Sequence, residues 1–298
     1  MPAIPFAPQT LAAEFTGLQG FQFLDAGTYK SVYRVTTPLG AAEVLKVVRL
    51  PQDESTESAR AIRSQELGRA LRETNLLGKC TSPFVVKLGS LSPAIHTLEG
   101  ESCLAYTEEH LPGGDLKAVI SQHQQPTEAE VKNLLSCLVQ GIRALWGELN
   151  AVHRDIKPAN IFATGLAERP YVLLDLGIAY NVNEPGLTAK PDHIPATPLY
   201  MAPEMLDPNF RATLSYRADL YAAGLSVFEF ATGGTHALAR RGDDYARTMS
   251  RVLHQDPLRL ATLRPDLPAE LCGLIDQLLK KNPALRPGNL SLILNSLQ

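Results

Sequence analysis

The stretch VHRDIKPANIF, residues 152–162, decides how the rest of the chain is read. Apolar residues bracket a polar centre in which a carboxylate (Asp155), an ammonium (Lys157) and a carboxamide (Asn160) share one short loop. Those three groups suit transfer of a phosphoryl group. An Asp orients or deprotonates a hydroxyl nucleophile, a Lys neutralises the transferring oxygens, and an Asn binds a divalent cation through its carbonyl oxygen. His-Arg-Asp alone would weigh no more than an ordinary polar surface loop; the complete string and its downstream partners give it weight.

The first partner is YVLLDLGIA, residues 171–179. An apolar run ending in Asp-Leu-Gly puts Asp175 at the end of a buried strand, 20 positions after Asp155, and Gly177 lets the chain turn away. A carboxylate there is suited to bridging Mg²⁺ and nucleotide phosphates.

Composition sets the outer bounds. The 298 residues suffice for one large domain or two lobes, and 45% hydrophobic with 20% charged residues is the profile of a globular chain with a substantial core. A formal net charge of -3 gives no general basic surface, so nucleic acid is not an expected partner. Cys80, Cys103, Cys137 and Cys272 are widely spaced, with no CxxC pair and no histidine at metal-ligand spacing. They read as reduced thiols of a cytoplasmic protein. The N-terminal MPAIPFAPQTLAAEF lacks the basic leader and continuous apolar run of a signal peptide, and no run reaches the roughly 18 apolar residues of a membrane span.

Along the chain, FQFL, SVYRV and AEVLKVV between residues 21 and 50 predict a small antiparallel meander. Ile62, Leu67, Leu71 and Leu76 predict a helix over 60–79, and further strands are expected at Val85–Leu88 and Cys103–Glu108. The Pro and two Gly of LPGGD, residues 111–115, mark a boundary. Helices are expected beyond it at 127–150, 217–232, 245–254 and 268–280. The organisation is then an extension (1–20), a β-rich lobe (21–110), a linker (111–115) and a mainly helical lobe (116–298).

Taken together, these motifs resemble those of the eukaryotic-type protein kinases of the Ser/Thr class, over roughly residues 21–292. The resemblance implies an α+β, bilobal fold, with a small β-rich N-lobe carrying one main helix and a larger, mainly α-helical C-lobe. It implies ATP with Mg²⁺ or Mn²⁺, and protein substrates. Asp155 then takes the place of the catalytic base, Lys157 of the γ-phosphate contact, and Asn160 and Asp175 of the metal ligands. In EVLKVV, Lys46 stands where the α- and β-phosphates are held, with Glu73 of RETNLLGKCTSPFVVKL as its helix partner and Glu66 as the alternative. The segment ATPLYMAPE, residues 196–204, resembles the substrate-docking loop, in which Thr197 contacts Asp155 and Lys157. Glu204 pairs with Arg286 of KNPALRP, and Asp219 of SYRADLYAAG braces the backbone at His153 and Arg154. The tail RPDLPAELCGLIDQLLKKNPALRP is similar to bacterial members.

Departures from the pattern cluster at the nucleotide. The loop expected as G-x-G-x-x-G-x-V reads DAGTYKSV, which keeps Gly27 and puts Asp25 and Lys30 where glycines stand. Lys30 is placed to compensate by reaching phosphates. Val44 replaces a small residue over the adenine, which Val32, Val44 and Phe162 would sandwich, with backbone groups at Glu109–Leu111 binding its edge. Counting from LPGG puts Glu108 at the gatekeeper position, with Thr107 the alternative one residue away. A buried carboxylate so near Lys46 is costly unless paired.

For regulation, the resemblance implies that Arg154 binds a phosphate on the activation segment. Thr188 is one candidate for that phosphate, and Asp192 is a candidate permanent acidic substitute. With Ala159 where an acid would select basic substrates, no strong basic preference is expected. The main reading is an autophosphorylating protein Ser/Thr kinase with a regulatory partner or dimer as an option. The rivals are a pseudokinase-like scaffold and, less favoured, a small-molecule kinase.

Overall fold

A computed structural model describes residues 3–51, 56–182, 198–207, 209–240 and 242–298. The chain divides into two compact units: one comprises Met1–Lys79 and Val86–Leu111, the other Cys80–Val85 and Pro112–Gln298.

The first unit is built on a five-stranded antiparallel sheet. It opens with helix α1 (Pro8–Glu14), followed by β1 (Gln19–Ala26), β2 (Lys30–Thr36), β3 (Ala42–Arg49), the long helix α2 (Glu57–Lys79), β4 (Ala94–Leu98) and β5 (Glu101–Glu109). The strand order is β1-β2-β3-β5-β4. β3 reads V-L-K-V-V at its centre because both its faces are covered. On one face Val48, Leu104 and Tyr106 pack with Ala70 and Leu67 of α2. On the other, Leu45, Val47, Val35 and Ala105 pack with Phe6, Leu11, Phe15 and Leu18. The segment from Phe6 to Leu18 is thus a built part of this unit's core. Burying each of those four side chains contributes roughly 1.5–3 kcal/mol. Polar contacts fasten the segment: the Tyr33 hydroxyl accepts the Phe6 N–H at 2.7 Å, the Arg49 guanidinium lies 3.8 Å from the Phe6 ring centre, and Gly27 O accepts the Ala3 N–H at 2.7 Å.

The strand expected at Val85–Leu88 does not form, and the fourth strand is β4. Val85 makes a parallel bridge to Leu173 while Leu88 bridges Glu108, so the two ends of the apolar run serve different partners and no continuous ladder is possible.

The second unit is mainly helical: β6 (Gly114–Asp115), α3 (Leu116–Ile120), α4 (Glu128–Leu149), β7 (Ala151–Val152), β8 (Ile161–Ala163), β9 (Tyr171–Leu173), β10 (Tyr180–Asn181), α5 (Tyr216–Ala231), α6 (Tyr245–His254), α7 (Leu260–Leu263), α8 (Ala269–Leu278) and α9 (Leu290–Ser296). A capping box between Thr127 and Glu130 starts α4, and Asn150, with φ of 49°, ends it. Between these caps α4 buries Leu134, Leu138 and Leu145 in a core shared with Leu220, Phe228 and Ile275 of α5 and α8. Gly141 lets α4 lie against β9, since a Cβ there would sit 2.8 Å from Leu173 Cδ1. Gly113 of LPGG, with φ of 105°, accepts no side chain because a Cβ would fall 2.0 Å from Ala163 O.

All four cysteines are buried free thiols. Burial pushes those of Cys103 and Cys137 up to about 11, which makes them inert. Among the described residues, no helix is long and apolar enough to cross a membrane.

Candidate active site

In the first unit the side chains alternate across the sheet, and the register decides which residues meet. β3 pairs β2 with Val32 opposite Lys46, and pairs β5 with Tyr106 opposite Lys46 and Glu108 opposite Val44. Val32, Val44, Lys46 and Glu108 therefore share one face. Thr107 points to the other, where its hydroxyl accepts the Leu91 N–H at 2.8 Å. Glu108, rather than Thr107, is the residue beside the lysine.

Lys46 Nζ donates to Glu73 Oε1 at 2.9 Å and to Glu108 Oε1 at 2.5 Å. All three residues are buried, at 7%, 3% and 3% exposure for Lys46, Glu73 and Glu108. Glu66 instead accepts from Arg69 one turn away on α2. One ammonium thus faces two carboxylates out of water. Burial, opposed by Lys46 and reinforced by Glu73, raises the Glu108 carboxyl to about 7. A single charged partner does not offset two desolvated carboxylates.

Gly27 sits in the turn between β1 and β2, where its N–H donates to Lys30 O at 2.8 Å. Its backbone has no positive φ, and a Cβ added there would meet nothing within 4 Å. The chain's own folding does not require glycine at this position. Lys30, half-buried, begins β2 opposite Val48. Glu109 ends β5, its N–H donating to Lys87 O and its carboxylate accepting the Lys87 N–H, both at 3.0 Å, and Leu111 is buried.

In the second unit the loop between β7 and β8 carries Asp155, Lys157 and Asn160. Asp155 Oδ2 accepts from Lys157 Nζ at 2.7 Å and from Asn160 Nδ2 at 2.9 Å; Asn160 Nδ2 also donates to Asp155 O at 2.9 Å. The three groups read from the sequence are brought together, and the carboxylate is oriented by a cation and an amide. Because the amide nitrogen of Asn160 is committed to Asp155, its carbonyl oxygen is the end turned away.

The β8–β9 hairpin sets the next element. Ile161 pairs with Leu173, and the Leu174 N–H donates to Asn160 O at 2.9 Å, so Asp175 leaves the hairpin alongside Asn160. Asp175 has φ of 60° and accepts the Gly177 N–H at 3.1 Å. A left-handed aspartate costs roughly 1–3 kcal/mol and marks a site where geometry is imposed. One carboxylate and one carboxamide oxygen are hard ligands of the kind Mg²⁺ takes. Among the described residues no three His, Cys, Asp or Glu side chains form a metal cage, so a cation at Asn160 and Asp175 would draw its remaining ligands from outside the protein. Phe162, in β8, pairs with Asp115 and Val172.

Behind the loop, Asp219 in the first turn of α5 accepts the N–H groups of His153 and Arg154 at 2.7 and 2.9 Å. His153 Nε2 lies 3.0 Å from Leu174 O, which ties the loop to the strand leading into Asp175. Arg154 is buried, with its guanidinium within 5.5 Å and 5.8 Å of the Phe210 and Tyr180 ring centres. Glu204 and Arg286 form a two-pronged pair, at 2.6 and 2.7 Å. Thr188, Asp192 and Thr197 lie outside the described residues.

The pairing of Glu108 with Lys46, one of the options left by the sequence, is the one the structure shows. The contact of Ala3 with the Gly27 turn escaped the sequence reading, with no signal beyond the apolar residues Phe6, Leu11, Phe15 and Leu18.

Comparison with known proteins covers the same span. The pattern of the family described as protein kinase domain matches residues 19–296. The serine/threonine-protein kinase PkaA of Streptomyces coelicolor is 29% identical over 282 residues, which are 86% of this chain and 48% of that protein. The serine/threonine-protein kinase ULK3 of Xenopus laevis is 26% identical over 265 residues, 88% of this chain and 51% of its own. The dual specificity mitogen-activated protein kinase kinase mek-1 of Caenorhabditis elegans is 30% identical over 177 residues, 58% of this chain and 47% of its own. The chain spans about half the length of these relatives.

Proposed function

Because the chain belongs to the protein kinase domain family, we propose that it transfers the γ-phosphate of ATP to Ser and Thr hydroxyls of protein substrates, its own chain included. The observation that carries the proposal is the Asp155 carboxylate held by both Lys157 and Asn160. Asp155 orients the substrate hydroxyl and takes up its proton as the hydroxyl oxygen attacks. Lys157 offsets charge on the transferring group, and Lys46 holds the α- and β-phosphates. Asn160 and Asp175 would hold Mg²⁺ or Mn²⁺, which when bound neutralises charge on the phosphates. Gly27, which the fold does not need as glycine, admits phosphate close to the backbone, with Lys30 beside it. Val32 and Val44, on the Lys46 face of the first unit's sheet, cover the adenine, the Glu109–Leu111 backbone reads its edge, and Phe162 keeps its sequence-derived adenine role as a proposal. Arg154, Thr188, Asp192 and Thr197 keep their sequence-derived roles as proposals. Ser/Thr selectivity draws support from PkaA and ULK3 as named, while mek-1 is named dual specificity. Four buried thiols support a cytoplasmic location.

A second reading, a pseudokinase scaffold, is favoured by one observation: Lys46 is shared between two carboxylates. The deciding experiment is phosphoamino-acid analysis of a generic protein substrate after incubation with γ-labelled ATP and Mg²⁺ or Mn²⁺. Label on Ser and Thr supports the kinase. Label on Tyr alone overturns the selectivity, and no label from folded protein favours the scaffold.

A further inference from the structure

The Lys46 cluster contains a carboxylate that the proposed reaction does not need. Glu73 already orients the lysine from α2 at 2.9 Å, and Glu108 approaches the same nitrogen from β5 at 2.5 Å. An ammonium has three donors, and two are aimed at these carboxylates. With both carboxylates ionised the buried cluster carries one excess negative charge, at the atom expected to receive an anionic phosphate. Among the described residues, the charged groups facing Glu108 are Lys46 from β3, Glu73 from α2 and, at longer range, Lys30 from β2. Tyr106, on the same face of β5, presents its ring 5.7 Å from Lys46 Nζ.

We propose that Glu108 is a positioning residue that competes with nucleotide phosphates for Lys46, so that the proton on Glu108 sets the affinity for nucleotide. The inference rests on the proposed nucleotide-binding role of Lys46. With Glu108 ionised, Lys46 is held back and the cluster repels phosphate; with Glu108 protonated, the charges of Lys46 and Glu73 balance and the pull of Glu108 on Lys46 is weakened while Glu73 still orients it. Burial places this transition near neutrality, with the carboxyl raised to about 7. Binding of phosphate and binding of the proton are then linked, each favouring the other by the same factor. The chain would take up nucleotide more readily as its surroundings acidify.

The test is calorimetric titration of the full chain with MgATP and with adenosine, from pH 6 to 8.5, for wild type and Glu108→Gln. Wild-type affinity for MgATP should fall about tenfold more than that of E108Q across this range, as a one-unit change in the proton affinity of Glu108 requires. Titration of ATP's own phosphates cancels in the comparison. Adenosine, which has no phosphate, should respond equally in both proteins. In two buffers of different ionisation heat at pH 7.5, wild type should take up more protons on binding MgATP than E108Q does, an excess that is absent with adenosine. Parallel MgATP profiles with no such excess overturn the inference and leave the kinase reading standing. Absence of MgATP binding by both folded proteins at every pH overturns the nucleotide role of Lys46, and the inference with it.

Discussion

Asp219 Oδ1 accepts the backbone N–H of Arg154 at 2.9 Å and so holds that residue at φ of 71°. The same carboxylate accepts the His153 N–H at 2.7 Å. A non-glycine residue in the left-handed region costs free energy, and two charge-assisted hydrogen bonds from a buried aspartate offset it. Arg154 immediately precedes Asp155, so the strain and its brace together fix where the proposed base points. Asp219→Ala is expected to lower stability by roughly 2–4 kcal/mol, because two buried N–H groups lose their acceptor. Any transfer activity should fall about a hundredfold through misplacement of Asp155. Chemical unfolding beside a transfer assay checks both, and Asp219→Asn, which keeps one acceptor, should fall between Ala and wild type.

The Glu204–Arg286 pair closes the second unit. Arg286 also donates to the carbonyls of Arg217, Lys280 and Lys281, so its guanidinium ties two backbone segments together besides the carboxylate. Arg286→Lys keeps the charge but not the fork. The expected loss is about 3 kcal/mol, read as a lower denaturation midpoint with an unchanged slope.

The N-terminal segment should behave as core. Leu11→Ala, at a fully buried position, is expected to cost roughly 2–5 kcal/mol, whereas Ile4→Ala, at 81% exposure, should leave the midpoint unchanged. Equal effects of the two substitutions on thermal unfolding would contradict the packing described.

This segment also shows where the sequence stops being legible. Leu11, Phe15 and Leu18 keep the spacing of one helix face, but Phe6 does not, and the helix ends at Glu14, so the four meet in the core without one shared period. Their partners, Val35, Leu45 and Val47, lie in strands further along the chain. The Val85–Leu88 error is similar, because an apolar run bridged at its two ends to different partners has the composition of a strand without its ladder. By contrast the Asp155 loop was legible because the groups that meet in space are neighbours in sequence. The lobe composition followed from the strand and helix periods, and α6 spans Tyr245–His254 as the pattern predicts. Glu108 lay between: its position could be counted, but its ion pair depends on β3 and β5 falling in one register.

Glu108 also makes stability depend on pH. Its carboxyl is raised from 4.5 to about 7, so between those values the native chain keeps a proton that the unfolded chain has released. Stability therefore falls as pH rises through this window, and above about 7 the full penalty is present. Buried His236 acts in the opposite direction: burial lowers it to about 4, so as pH falls from 6.5 the unfolded chain takes up a proton that the native imidazole does not, and stability falls. Glu108→Gln retains His236. Thermal unfolding of the two proteins should therefore show the difference in midpoint shifting in favour of E108Q from pH 5 to 8. A difference independent of pH would contradict the raised carboxyl.

Asp155 is the proposed base of phosphoryl transfer. Its most direct test is the initial rate of γ-phosphate transfer to a protein substrate at saturating MgATP, comparing wild type with Asp155→Asn after both are shown to be folded and to bind nucleotide. A measurable wild-type rate that falls by a factor of about 10²–10⁴ in the variant is expected. Equal rates in the two proteins would contradict that role.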